Sequence, residues 1–273
     1  MANRLNRNNP RRTVLPNSVE FETIQFHPGP RVASIILNRP PLNIINLKMM
    51  DELTAAWDEI DALGSQVVVF SGAGEKAFSA GVDVADHVPE RIESMLSKFH
   101  GLIRRIFESD RITISAIHGH TLGGGAELAM VCDFVIAADD ARIGQPEISL
   151  GCYPPVAAAY LPRAIGFHRA SQLVLLGESI SAAEAERFGL VSEIVGRNDL
   201  SVVVDDYIDR LLTKSAAVVA LTKKALREGL ENRFERALDL TEKIYRDELS
   251  KTEDMREGIQ SFLEKRPPSW KNR

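Results

Sequence analysis

Residues 112–138 read ITISAIHGHTLGGGAELAMVCDFVIAA, and the changes of pattern within them decide the fold class. Ile112–Ile117 is a short apolar, β-branched run, which marks a buried strand. A glycine-bearing loop follows at 118–125, a helical segment begins near Ala126, and Phe134–Ala138 returns to strand character. Strand, glycine-rich loop, helix and strand in succession predict an α/β unit around a buried sheet. Upstream, Val67–Phe70 reads as another buried strand, feeding the loop SGAGEKAFSAGVD at 71–83. Before it, Val32–Leu37 is bounded by Pro30 and Pro40 and is expected to pair as a hairpin with Phe21–Phe26. Asn46 precedes a helical stripe of Leu47, Met50, Leu53, Trp57 and Ile60 that Gly64 ends. Downstream, Ser181 and Glu184 have capping-box spacing and Gly189 is a stop, which predicts a helix over 182–188. From Ser201 onward, Val202–Leu212, Ala216–Leu230 and Arg236–Glu248 carry helical periodicity with little strand signal. The expected organisation is a flexible arm at 1–17, an α/β core at 18–200 and a helical region at 201–273.

A chain of 273 residues suits one large α/β domain, or a main domain with an appendage. Its 44% hydrophobic and 26% charged residues exclude a largely disordered or collagen-like chain. A net charge of -5 argues against a general nucleic-acid binder, while leaving room for a small basic patch that meets a phosphorylated ligand. Cys132 and Cys152 make neither a disulfide framework nor a zinc site, and a reducing cytoplasm is the simpler expectation. The basic N-terminus lacks the apolar run of a signal peptide, and its asparagines with Pro10 and Pro16 argue against an amphipathic transit helix. No stretch of about 18 apolar residues offers a membrane span.

The chemistry-bearing stretch is Gly123-Gly124-Gly125-Ala126-Glu127, after a strand and before a helix. Glycines permit close backbone approach to a ligand, and free N–H groups at a helix start stabilise developing negative charge. The same residues also suit a tight turn with Glu127 complementing the helix dipole. Phe78–Asp83 is a second glycine-bearing loop able to supply a backbone N–H, or simply a strand-to-helix connection. Neither loop has the dinucleotide fingerprint, and SGAGEK at 71–76 lacks the spacing and hydroxyl residue of a phosphate-binding P-loop. Glu147 lies in a third loop, GQPEISLG at 144–151. If these loops lie side by side, Glu127 and Glu147 can share one water, one removing its proton while the other handles the proton added to substrate. A solvated Glu147 fits the spacing equally well. His118 and His120 alternate beside the glycine loop without a nucleophile partner, so structural roles are favoured for them. The remaining histidines are scattered and predict no metal site. Asp133 is expected to support a strand or helix junction, and Cys132 to be core.

Taken together, NRPPLNIIN at 38–46, AFSAGVDV at 77–84, HGHTLGGGAELAMVCDFVIAADDARIGQPEISLG at 118–151 and SAAEAERFGLVSEIV at 181–195 resemble the crotonase, or enoyl-CoA hydratase/isomerase, superfamily. The resemblance implies a spiral of β-β-α turns with two nearly perpendicular sheets and a C-terminal helical trimerisation region, assembled as homo-trimers or homo-hexamers. It also implies a hydro-lyase acting on an acyl-CoA substrate, with the backbone N–H groups of Val82 and Gly124 around the thioester carbonyl. Glu127 and Glu147 match the family's paired glutamates. Backbone near Ala80 is implied to meet the adenine end of coenzyme A, and basic residues such as Lys48 its phosphates. Coenzyme A is then part of the substrate, and hydration requires neither a redox cofactor nor a metal.

Finer features are similar to the branch that hydrates a cyclic dienoyl-CoA, converting cyclohexa-1,5-diene-1-carbonyl-CoA to 6-hydroxycyclohex-1-ene-1-carbonyl-CoA. They are DHVPERIESMLSKFHGLIRRIF at 86–107, GQPEISLGCYPPVAAAYLP at 144–162 and FLEKRPPSWKNR at 262–273. Cys152-Tyr-Pro-Pro-Val-Ala-Ala-Ala159 stands where many simple enoyl-CoA hydratases carry a glycine-rich segment, which implies a reshaped acyl pocket. The alternatives are a general acyclic enoyl-CoA hydratase or isomerase, and a non-catalytic acyl-CoA-binding protein.

Overall fold

Three successive turns of the chain each consist of one longer apolar strand, one three-residue strand and a helix, and that repeat forms the middle of the molecule. The computed structural model describes residues 21–231, 243, 245 and 247–273. The arm expected at 1–17 and most of the helix expected at 236–248 lie outside the described residues. Preceding them is the antiparallel pair β1 (Ile24–His27) and β2 (Val32–Leu37), followed by α1 (Leu47–Leu63). Next come β3 (Val67–Gly72), β4 (Ala77–Ser79) and α2 (Pro89–Glu108), then β5 (Ile112–Ile117), β6 (His120–Leu122) and α3 (Gly124–Met130). After β7 (Phe134–Ala138) and β8 (Arg142–Gly144), a 3-10 turn at Pro146–Leu150 leads into α4 (Pro155–Ala164) and α5 (Phe167–Leu176). β9 (Ser179–Ser181), α6 (Ala182–Phe188) and β10 (Glu193–Val195) complete the α/β part.

The longer strands, with three-residue β10 at one edge, form a sheet in the order β1-β2-β3-β5-β7-β10, parallel from β2 onward. The short ones form a second sheet, β4-β6-β8-β9, in which β4, β6 and β8 run parallel. The residue pattern alone indicates one buried sheet, because three-residue strands carry too few positions to show alternation; the structure has two, the number the family resemblance implies. All six residues of β5 are buried, as expected of a parallel strand covered on both faces. Helix α1 forms where the stripe required it: Asn46 accepts a hydrogen bond from Met49 N at 3.0 Å, and Met50, Leu53, Trp57 and Ile60 are buried. Trp57 stacks on Phe70 of β3 with ring centroids 6.1 Å apart, joining helix and sheet in one core. The capping box of Ser181 and Glu184 is present at the start of α6. Helix α3 begins at Gly124 rather than near Ala126, so the third glycine is already helical.

Three further helices, α7 (Leu200–Leu212), α8 (Ala216–Glu231) and α9 (Glu253–Glu264), make the C-terminal region. Buried Lys223 fastens α8 to the core by donating to Asp133 at 2.7 Å and to the Arg111 carbonyl at 2.6 Å. The same Asp133 carboxylate accepts from Thr113 N and Oγ1, locking β5 to the start of β7. Beyond α9 the chain turns back: Asp254 accepts from Lys271 N and Asn272 N, and Trp270 Nε1 donates to the Thr213 carbonyl.

Candidate active site

β4, β6 and β8 are adjacent and parallel, so the loops leaving their C-terminal ends lie side by side. Those loops carry residues 80–83, Gly123-Gly124 and Gln145–Glu147, and strand ends of this kind are where open α/β sheets place ligands. In the first loop, Val82 forms a parallel bridge with Ile45, in which Gly81 O accepts from Ile45 N at 2.9 Å and Asp83 N donates to Ile45 O at 2.8 Å. Because its two neighbours make those bonds, the N–H of Val82 points to the opposite side. Gly124 is the first residue of α3, where an N–H has no partner within its own helix. Among the described residues neither N–H donates a hydrogen bond.

Glycine is required at two positions here. Gly123 has φ +51°, donates to the Gly144 carbonyl at 2.9 Å, and would place a Cβ 2.5 Å from Glu147 Oε1. A Cβ on Gly124 would lie 2.5 Å from Val82 Cγ2 and 3.2 Å from Phe99 Cζ. The glycine run thus brings the Glu147 carboxylate and the Val82 side chain against the start of α3, where any side chain would hold them off.

Glu127 is one turn into α3 and only 3% exposed. Its Oε1 accepts from Ala157 N at 2.8 Å, at the third position of α4, whose first residue is Pro155. Burial pushes the Glu127 carboxyl up to about 7, against the opposing donor at Ala157, and the nearby charge of Glu147 adds to the rise. Burial also raises Glu147, while its own backbone N–H and the charge of His87 pull it down. Glu147 Oε2 is buried and has no hydrogen-bond partner among the described residues. Two carboxyls in one poorly solvated pocket favour holding a proton between them near neutrality, and they titrate as a pair.

Both carboxylates face a cavity of about 430 Å³ that Ala80, Val82 and Gly124 also line. Lys48 is not among its lining residues: its Nζ lies 3.5 Å from Glu52 on the surface of α1. His118 is buried and His120 exposed, and neither lines the cavity. Cys132 is buried with its thiol pushed up to about 12 by desolvation, which suits core. His87 and His100 do line the cavity, and neither was singled out from sequence. The signal for His100 was present: it follows Phe99 on the buried stripe of α2 that includes Met95 and Ile103, where a histidine is out of place. His87 offered no such signal, because it lies in the connection between a 3-10 turn and α2.

The enoyl-CoA hydratase/isomerase family model matches residues 29–273. A probable enoyl-CoA hydratase of Mycobacterium bovis is 36% identical over 256 residues, covering 93% of this chain and 99% of that protein. The cyclohexa-1,5-dienecarbonyl-CoA hydratase of Thauera aromatica is 35% identical over 240 residues, covering 87% of this chain and 92% of that one. The solved structure of an enoyl-CoA hydratase from Bacillus anthracis superposes with a TM-score of 0.85 at 32% identity, covering 92% of this chain and all of that one. Similarity to the cyclic-diene enzyme is thus no greater than to a hydratase with no ring in its description.

Proposed function

The chain belongs to the enoyl-CoA hydratase/isomerase family, and we propose that its reaction is reversible addition of water across the α,β double bond of a 2-enoyl-CoA thioester. The observation that carries this reading is the convergence of Glu127 and Glu147 on the cavity that the two unpartnered N–H groups of Val82 and Gly124 border. A thioester carbonyl between those donors takes up negative charge as the β-carbon is attacked, and preorganised backbone dipoles stabilise it without reorganising. Water held between the carboxyls supplies the nucleophile; one carboxylate takes its proton and the other carboxyl delivers a proton to the α-carbon. Burial raises both carboxyls and so favours the retained proton this exchange needs. Coenzyme A enters as the carrier part of the substrate, its adenine end meeting backbone near Ala80 and its phosphates meeting exposed basic side chains such as Lys48.

A second, narrower reading is hydration of cyclohexa-1,5-diene-1-carbonyl-CoA, with the proton delivered at the far end of the conjugated system. Cys152, Tyr153, Pro154 and Pro155 line the cavity and support it, as does the Thauera aromatica relative. The division 18–200 for the core and 201–273 for a helical region that assembles homo-trimers or homo-hexamers is part of the same proposal, as is a cytoplasmic setting for the two free cysteines.

The test is incubation with crotonyl-CoA and, separately, the cyclic dienoyl-CoA in deuterated water, following product mass and label position. Gain of one water on crotonyl-CoA with deuterium at the α-carbon is the expected result. Turnover of the cyclic diene alone, labelled at the remote carbon, replaces it with the narrower reading. Tight binding of both without turnover overturns hydration in favour of a carrier role.

A further inference from the structure

We infer that the acyl end of this site continues into a second chamber that receives an anion, so that the preferred substrate is a 2-enoyl-CoA bearing a carboxylate at the far end of its acyl chain. The inference rests on the hydratase reading. A chamber of about 280 Å³ shares His100 and Pro155 with the catalytic cavity. The helices α2, α3 and α4 each run from one into the other. On α3, Glu127 lines the first and Val131, one turn on, lines the second. On α2, Arg104 follows His100 by about 6 Å of helix, and on α4, Arg163 follows Pro155 by about 12 Å. A chain whose β-carbon sits between the two glutamates therefore has its far end directed toward the arginines.

The composition of the chamber selects the chemistry of that end. Its walls include Ile103, Phe107 and Tyr160, which suit the methylenes of a tail. At its solvent edge stand Arg104 and Arg163, both exposed, and no acidic side chain is among the described residues that line it. Among the described residues neither arginine has an ion pair or hydrogen bond, whereas Arg105, next in sequence, is held by Asp58 at 2.7 Å and Asp61 at 2.9 Å. A purely alkyl tail would lie against unpaired guanidinium groups and gain nothing from them. A carboxylate matches the fork of the guanidinium and makes the strong, charge-assisted bonds that group provides. Burial and the charge of Arg104 hold His100 below the usual imidazole range, so at neutral pH it borders the passage as an uncharged ring.

The test compares kcat/KM for the six-carbon 2-enoyl-CoA ending in a carboxylate with its isosteric, neutral terminal amide, using crotonyl-CoA as reference. The expected result is a preference of about tenfold or more for the carboxylate. That preference falls severalfold in R104Q or R163Q, approaches unity in the double variant, and survives in part in R104K and R163K. Because the readout is a ratio within one protein, a general loss of folded enzyme cancels. Equal kcat/KM for acid and amide in the unaltered protein, with crotonyl-CoA still hydrated, overturns the inference and leaves the hydratase reading standing. A preference that persists in the double variant also overturns it. Absence of turnover on all three thioesters removes the hydratase reading, and the inference with it.

Discussion

Glu52 and Glu127 are both buried glutamates, 6% and 3% exposed, and their environments drive them in opposite directions. Glu52, on α1, accepts from Thr23 Oγ1 at 2.6 Å, Thr23 N at 2.8 Å and Glu22 N at 3.0 Å, with Lys48 alongside. Burial alone would raise its carboxyl, yet the Thr23 and Glu22 donors and the Lys48 charge outweigh burial and hold it below the usual range. Glu127 has the Ala157 N–H at 2.8 Å and a like charge nearby, and burial carries it up to about 7. Desolvation is common to both. What separates the two acids is the shortage of donors on the side of Glu127 that faces the cavity, the side on which the proposed reaction uses it.

Substituting glutamine at each position tests that contrast. E127Q and E147Q are each expected to lower kcat by about 10²–10⁴-fold, the range of a lost general acid or base. E52Q is expected to keep kcat within a few-fold, while unfolding free energy falls by about 1–3 kcal/mol as bonds to a charged acceptor are lost. Steady-state hydration assays and urea unfolding of the same preparations read both quantities. Near-normal turnover in a folded E127Q, or loss of turnover in a fully stable E52Q, would break the distinction.

The two acids also give stability opposite dependences on pH. Glu127 titrates at 4.5 unfolded and about 7 folded, so the folded state binds the proton more tightly between those values. Its favourable contribution is complete below pH 4.5 and is lost as pH rises to about 7, an upper bound of about 3 kcal/mol. Glu147, also raised, adds to the same trend. Glu52, held low, contributes stability at neutral pH that disappears as pH falls through its folded pKa. Urea unfolding between pH 5 and pH 8 should therefore show E127Q gaining on the parent protein as pH rises. Parallel stability curves for the two proteins would show that Glu127 titrates alike in the folded and unfolded chains.

How far the sequence revealed this contrast follows from which contacts are local. The α1 stripe, the Asn46 cap, the buried β5 and the capping box of Ser181 and Glu184 are all written within one or two turns of chain, and the structure contains each of them. The second sheet was hidden from the residue pattern because β4, β6, β8 and β9 are three residues long. That sheet is also what brings Glu127 and Glu147 together, through the non-local pairing of His120–Leu122 with Arg142–Gly144. Spacing of 20 residues could not distinguish convergence from solvation; the family resemblance supplied the pair, and strand adjacency supplies the physical reason. The Lys48–Glu52 pair, by contrast, is a local i,i+4 spacing on α1.

Lys48 suggests the last and smallest test, since each region pairs a glutamate with a cation of different kind. Next to Glu52 stands an ammonium; next to Glu147 stands an imidazole, whose charge pulls the Glu147 carboxyl down. The ring of His87 is fixed by a 3.0 Å contact from Nδ1 to the Asp83 carbonyl, an acceptor that requires the proton on Nδ1. When protonated, that ring lowers the pKa of Glu147 and opposes the effect of burial. H87N retains an amide donor for Asp83 and removes the charge, so Glu147 should hold its proton to higher pH. The acid limb of kcat/KM is expected to move upward, with a severalfold loss on that limb and recovery toward the parent rate on the alkaline side. An acid limb unchanged in H87N would mean that the charge on His87 does not reach Glu147, leaving burial and Glu127 to set its titration.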